Sequence, residues 1–400
     1  MKEDFASSQC KRGNLKMKLI LHFDGRNTIF VADKHSRLNP SQGLNTYISG
    51  LVWGNYDENE EISCKEYTLD SNADQRTVKC NHYPGEIVCE EVKFPKIDLP
   101  ISWKTHPFSP CLKPPDDSKC SIYSLFEKKI VKKPSDRGIL RQSLGEFTST
   151  NVGTSFRDLF ANHLELLKWP DECQPVEELT IQSSNSNFHY IIPAFFKTLV
   201  WLEEHHKGNY LVIIRTHGQE LENIFNAIGQ FLDLKHPLFQ QDCIRKIRLN
   251  SEIMKIVREN DDNFFLTNLM GELICQKGCN IYQCFNTLTG IIGVIDDFSY
   301  WQENNFSYTG GKPIFFEENQ KIRSVQHIIF DDNIRFERNN QKNVIQLIIL
   351  VEGKEEKCLD FEKMKEYENK LFVQADLLNA IREQDYFIHK IEEVVANNQD

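Results

Sequence analysis

This chain of 400 residues contains no Cys-x-x-Cys pair, no internal repeat, no low-complexity tract and no long apolar run. Each absence excludes something. The apolar stretch Val344 to Val351 is short and flanked by charge, well under the ~20 residues of a membrane span. The opening residues Met1-Lys-Glu-Asp-Phe-Ala-Ser-Ser carry no apolar core of signal-peptide length, so an intracellular, cytoplasmic protein is expected. In that compartment the Asn305-Phe-Ser307 sequon meets no glycosylating machinery. A basic surplus is missing as well. The net charge is −11, which argues against general nucleic-acid binding, and no nucleic acid or membrane is expected as a partner. The densest basic patch, Lys128 to Lys133, reads as a solvated helix end. Twelve cysteines are present. Cys275, Cys279 and Cys284 lie close together, but without tighter spacing and companion histidines they read as reduced, scattered thiols rather than a zinc site.

What is present is enough to bury a large core, and the length suggests two domains. Met17 to Phe23 reads as a buried strand, followed by a short extended segment from Thr28 to Ala32. From Ser36 to about Asn187 the texture changes to an acidic run at Asp57–Glu61, a proline-rich stretch from Pro95 to Pro115, and patches of periodic apolar residues. Leu125 to Phe147 reads as helix broken at Pro134. Phe156 to Trp169 has the i, i+3, i+4, i+7 spacing of a buried helix face.

Beyond that stretch the alternation becomes regular. Ile191 to His206 reads as an amphipathic helix, Tyr210 to Thr216 as a strand, and Glu220 to Leu234 as a helix. Gly290 to Asp297 is a strand and Gly310 to Ile314 a turn. His327 to Asn333 and Val344 to Val351 are strands, and Phe361 to Val395 is a long helical stretch. Strand–helix alternation with polar strand ends predicts an α/β, doubly wound, largely parallel sheet. The organisation expected is a core of residues 15–35 and 190–355, an inserted module at 36–189, and a C-terminal helical extension at 356–400.

Asp24, Thr216, Lys312 and Asp331-Asp332 mark strand ends or turns of the regular part. Open parallel sheets gather ligand-binding groups at their carboxyl ends. One carboxylate can attack a phosphoryl group, others can hold Mg²⁺, and a hydroxyl and a lysine can neutralise the transferred oxygens. His22, two residues before Asp24 in a buried strand, reads as a hydrogen-bonded core residue. His217 is better placed to meet a substrate, although a helix-capping environment explains it equally. Asp296-Asp297 is the rival acidic strand end and ranks as a peripheral loop, because it precedes Lys312. Phe195-Phe196 and Phe264-Phe265 read as core.

In this order the residues resemble the four motifs of the haloacid dehalogenase-like (HAD) superfamily, in a divergent eukaryotic branch. Phe23-Asp24-Gly-Arg-Asn-Thr28 looks like the first motif and Ile213-Ile-Arg-Thr216 the second. Gly311-Lys312-Pro313 looks like the third, and Ile328-Ile-Phe-Asp331-Asp332 the fourth. The resemblance implies a HAD-like doubly wound core with the 36–189 module as a cap that closes over the site. It implies Asp24 as nucleophile and Mg²⁺ ligand, the Arg26 carbonyl and Asp332 as further ligands, and Asp331 steering metal-bound water. Thr216 and Lys312 would bind phosphoryl oxygens, with Thr28 and His217 beside the substrate. A phosphorylated small molecule or protein would be the partner.

Arg26 departs from the pattern. Family phosphatases carry there an aspartate that protonates the leaving group, and a guanidinium cannot exchange a proton near neutral pH. Losing that help costs a factor of about 10²–10⁴ in rate. The expectations are therefore a weak Mg²⁺-dependent phosphate hydrolase or phosphotransferase, or a non-catalytic relative that binds a phosphorylated ligand or a protein partner. Attack by Asp24 on carbon, as in dehalogenases, needs no metal and leaves Asp331-Asp332 without a purpose.

Overall fold

The apolar runs that end on polar residues become the central strands of one sheet. The structure, a computed structural model, describes residues 17–32, 38–57, 59, 99–132, 136–183, 185–218, 220–317, 325–336, 341–351 and 355–398. The elements begin with β1 (Lys18–Asp24), α1 (Pro40–Leu51), β2 (Trp53–Asn55), β3 (Lys104–Thr105), β4 (Cys120–Ser121), α2 (Ile122–Ile130), α3 (Asp136–Ser143) and α4 (Arg157–Leu166). There follow β5 (Thr180–Ser183), β6 (Ser186–His189), α5 (Pro193–His206), β7 (Tyr210–Thr216), α6 (Leu221–Leu232), β8 (Leu249–Asn260), β9 (Asn263–Asn268), β10 (Leu273–Gln276), α7 (Gly278–Thr287) and β11 (Gly290–Ile295). The last are α8 (Phe298–Glu303), β12 (Lys312–Glu317), β13 (Val325–Asp331), β14 (Ile345–Val351), β15 (Glu355–Cys358), α9 (Phe361–Met364), β16 (Phe372–Gln374), α10 (Leu377–Arg382) and α11 (Tyr386–Asn397).

Two compact units divide the chain. One joins Met1–Phe30, Trp169–Thr180 and His189–Asp400; the other comprises Val31–Lys168 and Ile181–Phe188. In the second unit, α1 starts on a capping box in which Asn39 accepts from the Gln42 amide and Gln42 reaches back to the Asn39 amide. The helical patch expected from Leu125 to Phe147 falls into α2 and α3, and Pro134 lies outside the described residues. The stripe Phe156, Leu159, Phe160, His163, Leu164 and Leu167 is buried or half-buried, as its spacing requires.

The first unit is built on an eight-stranded sheet of order β10-β9-β8-β11-β7-β1-β13-β16. The six strands from β8 to β16 in that order pair in parallel, and β9 and β10 add an antiparallel meander. Leu19, Ile20, Leu21 and Phe23 of β1 are fully buried, an apolar run interrupted only by His22, as in a strand covered on both faces. β7 and β11 are laid down on one side of β1, β13 and β16 on the other, so the strand order reverses between β1 and β13. Open α/β sheets bind ligands in the crevice at the carboxyl ends of their strands, at such a reversal.

Several expectations change. Thr28 to Ala32 is not extended: the Gly25 carbonyl accepts from the Thr28 and Ile29 amides, and Asn27 takes a positive φ of 63°, which Asn tolerates. Lys312 opens a strand rather than sitting in a turn, and that strand, β12, belongs with β14 and β15 to a separate three-stranded sheet. The stretch after Phe361 is not purely helical. Its short Phe372–Gln374 segment pairs with Ile329–Asp331 and ends the main sheet.

Candidate active site

β1 delivers Asp24 to the rim of the sheet, and its neighbours set what meets it there. Asp24 pairs in register with Arg215 of β7, and Phe23 with Phe330 of β13, so Asp331 ends its strand beside Asp24. Residues paired in register point to the same face. The Lys312 ammonium fills the space between the two carboxylates, with Nζ 2.5 Å from Asp24 Oδ1 and 2.7 Å from Asp331 Oδ2. Lys312 and Asp331 are almost wholly buried, whereas the Asp24 side chain keeps 15% of its surface exposed. A ligand can reach Asp24.

Asp332 completes the cluster. Its carboxylate accepts from Asn27 Nδ2 at 3.3 Å and from Asn333 Nδ2 at 2.9 Å, while the Asn333 amide donates to Asp331 Oδ1 at 2.9 Å. Oxygens of Asp24, Asp331 and Asp332 all lie within 4.8 Å of one another. Three carboxylates face one lysine, so negative charge is in surplus in a buried place. Burial, then the Asp331 charge, raises the Asp24 carboxyl well above its ordinary range despite the Lys312 ammonium. The same two causes raise Asp332 to about 7. Burial alone would lower Lys312, but Asp24 and Asp331 outweigh it and raise it. An oxygen-only donor set with excess negative charge fits a hard divalent cation.

The other expected residues are placed as follows. Thr216 ends β7 beside Asp24; its buried hydroxyl accepts from the Gly218 amide at 2.9 Å. His217 stacks on Trp301 with ring centroids 5.2 Å apart, and its Nδ1 lies 3.4 Å from the Asp296 carbonyl. Burial and the Lys312 charge lower its imidazole to about 4, so it is neutral at neutral pH. Thr28 is fully buried in the turn after β1, with no hydrogen-bond partner for its hydroxyl. Arg26 lies in that same turn, bridged to Phe30, and its Nη1 is buried without a partner. The structure thus brings Asp24, Lys312, Asp331 and Asp332 into one cluster, with Thr216 at the end of the neighbouring strand. Among the described residues no hydrogen bond or ion pair ties the Thr28, Arg26 or Thr216 side chains to it.

A buried ion pair belongs to this place, and the role of Arg215 in it was not foreseen. Arg215, in register with Asp24, makes a bidentate ion pair with Asp296, Nε to Oδ2 at 2.8 Å and Nη2 to Oδ1. Asp296 is therefore no peripheral loop residue: it neutralises Arg215, and Asp297 caps α8 through the Tyr300 amide. Below them His22 Nε2 lies 3.2 Å from His327 Nδ1, a hydrogen-bonded core pair. Strand register places these polar groups on the face that carries Asp24, while Phe23 on the other face meets Phe195, Phe330 and Phe387. Among the described residues no second group of three metal-ligating side chains occurs. No helix of the described residues is long and apolar enough to cross a membrane. No family model, no curated protein and no solved structure matches this chain.

Proposed function

We propose that the chain is a divergent member of the haloacid dehalogenase-like superfamily and a Mg²⁺-dependent phosphate hydrolase or phosphotransferase acting through Asp24. The observation that carries this reading is the lysine-bridged pair Asp24–Lys312–Asp331 at the order reversal of a parallel sheet, with Asp332 alongside. Asp24 would attack phosphorus, forming an aspartyl phosphate as the bond to the leaving oxygen breaks. Lys312 and the Thr216 hydroxyl would neutralise the phosphoryl oxygens. A bound Mg²⁺, held by Asp24, Asp332 and the Arg26 carbonyl with Asp331 ordering its water, would supply further charge neutralisation. The leaving oxygen must take its proton from water, because Arg26 cannot give one. Slow turnover follows.

A second reading rests on that same Arg26: a non-catalytic protein of this fold that holds a phosphorylated molecule or protein. A panel of phosphate monoesters assayed with Mg²⁺ and with chelator separates the two. Chelator-sensitive turnover that Asp24→Asn abolishes is expected of the enzyme; turnover persisting in Asp24→Asn would sink the covalent route. Binding of phosphate without turnover favours the second reading. In that case Arg26→Asp should create chelator-sensitive turnover, if proton transfer is all that is missing.

A further inference from the structure

Lys312 reaches Asp24 from an element outside the sheet that carries Asp24, so something must fix it across the two sheets. The bonds that do so are specific. On its C-terminal side, the Pro313 carbonyl accepts from both Arg215 Nη1 and Nη2 at 3.3 Å. On its N-terminal side, the Gly311 carbonyl accepts from Arg258 Nη1 at 2.9 Å, and the Thr309 carbonyl from Arg258 Nη2 at 2.9 Å. Arg258 comes from β8 and Arg215 from β7, both strands of the main sheet. The two backbone carbonyls that bracket Lys312 are thus each held by a buried guanidinium rooted in the sheet of Asp24.

Neither guanidinium is free to drift. Arg215 is locked by Asp296, and Arg258 lies over the rings of Phe264 and Tyr300, 4.8 and 4.5 Å from their centroids. Arg258 also donates to the Asp261 carbonyl at 3.0 Å. A planar fork can hold two carbonyls at once, which a lysine ammonium does less well. From these bonds we infer that Arg258 is a positioning residue: with Arg215 it forms a two-sided clamp that sets the height of Lys312 over Asp24 and Asp331. The clamp itself stands on geometry alone; its effect on ligand binding rests on the phosphate-handling reading above.

The test separates these. In Arg258→Met, hydrogen–deuterium exchange of peptides covering residues 309–313 is expected to accelerate by at least about tenfold, with β1 unchanged. Unchanged exchange there overturns the clamp, whatever the site binds. Calorimetry with inorganic phosphate and, separately, with Mg²⁺ reads the consequence. Phosphate affinity is expected to fall about tenfold in Arg258→Met and by less in Arg258→Lys, while Mg²⁺ affinity does not fall, because a displaced Lys312 ammonium competes less for Asp24 and Asp331. A general loosening of the fold would weaken both ligands alike and overturn the assignment. In a Lys312→Met background, Arg258→Met should have no further effect on phosphate affinity; an additive loss would show that Arg258 does not act through Lys312. If Lys312→Met itself leaves phosphate binding intact, the phosphate-handling reading fails, and the exchange rates alone decide the clamp.

Discussion

At the scale of single residues, the site is a buried charge balance, and Lys312 is its hinge of sign. Its ammonium bonds both Asp24 and Asp331. Removing one partner of a buried ion pair leaves an uncompensated charge and costs about 3–5 kcal/mol. Lys312→Met is therefore expected to lose that much stability in metal-free buffer, measured by urea unfolding. The double variant Lys312→Met/Asp331→Asn should recover part of the loss. Equal stability of the single variant and the parent would mean the carboxylates take up protons at no cost. Asp24, Thr216 and Asp331 were legible because each ends a predominantly apolar segment, the mark of a strand buried on both faces. The Arg215–Asp296 pair was not. Its members stand 81 residues apart, and nothing local distinguishes an arginine that pairs at a strand end from one that reaches solvent. Arg258 was hidden for a related reason, since it sits in a strand whose other charged residues are exposed.

At the scale of elements, the strands around Asp24 depend on what packs behind them. Phe387 of α11 meets Phe23 and Phe330 edge-on, with ring centroids 5.1 and 5.2 Å away, on the face of β1 opposite Asp24. Truncating a buried phenylalanine costs about 3–5 kcal/mol. Phe387→Ala should show a loss in that range on denaturant unfolding, and a loss under about 1 kcal/mol would mean that α11 is dispensable to the core. The four strongest strands, β1, β7, β11 and β13, could be read from β-branched and aromatic runs. The β8–β9–β10 meander could not, because β8 mixes exposed and buried positions and lacks a long apolar run. β16 escaped because three residues embedded among helical segments carry too few periods to reveal a strand. The role of β12 was obscured by Gly310-Gly311, whose turn chemistry masked the strand that begins at Lys312. A Cβ on Gly311 would lie 2.7 Å from the Val344 carbonyl carbon and oxygen, so the glycine serves close sheet pairing.

At the scale of the whole molecule, stability should depend on pH through buried imidazoles. Burial lowers His189 and His217 to about 4, and His236 and His327 to about 3; it also holds His22 well below its ordinary value, with Arg215 adding to the effect. Such groups are neutral when folded and take up protons first in the unfolded chain. Their contribution is complete above pH ~6.5 and is lost as pH falls toward 4. Asp24 and Asp332, raised in the folded state, act with the opposite sign over the same interval. Five histidines against two carboxylates leave a net loss of up to about 4 kcal/mol per pH unit below pH 6. Urea midpoints measured at pH 7, 6 and 5 should fall accordingly, and less steeply in His236→Gln; a flat or rising series would contradict the assignment. The α/β class and the carboxylate cluster were thus accessible from local pattern, whereas the partition of strands between two sheets came from long-range packing. That packing has a consequence for biosynthesis. The two neighbours of β1, β7 and β13, follow it by almost two hundred and more than three hundred positions. At ribosomal speeds of about 5–20 residues per second, Asp331 emerges roughly 15–60 s after Asp24. Until β7 follows, roughly 10–40 s after β1 at those speeds, Leu19 to Phe23 has no native strand to pair with, and its other edge stays open until β13 emerges, so the nascent chain should depend on chaperones that shield it in the meantime.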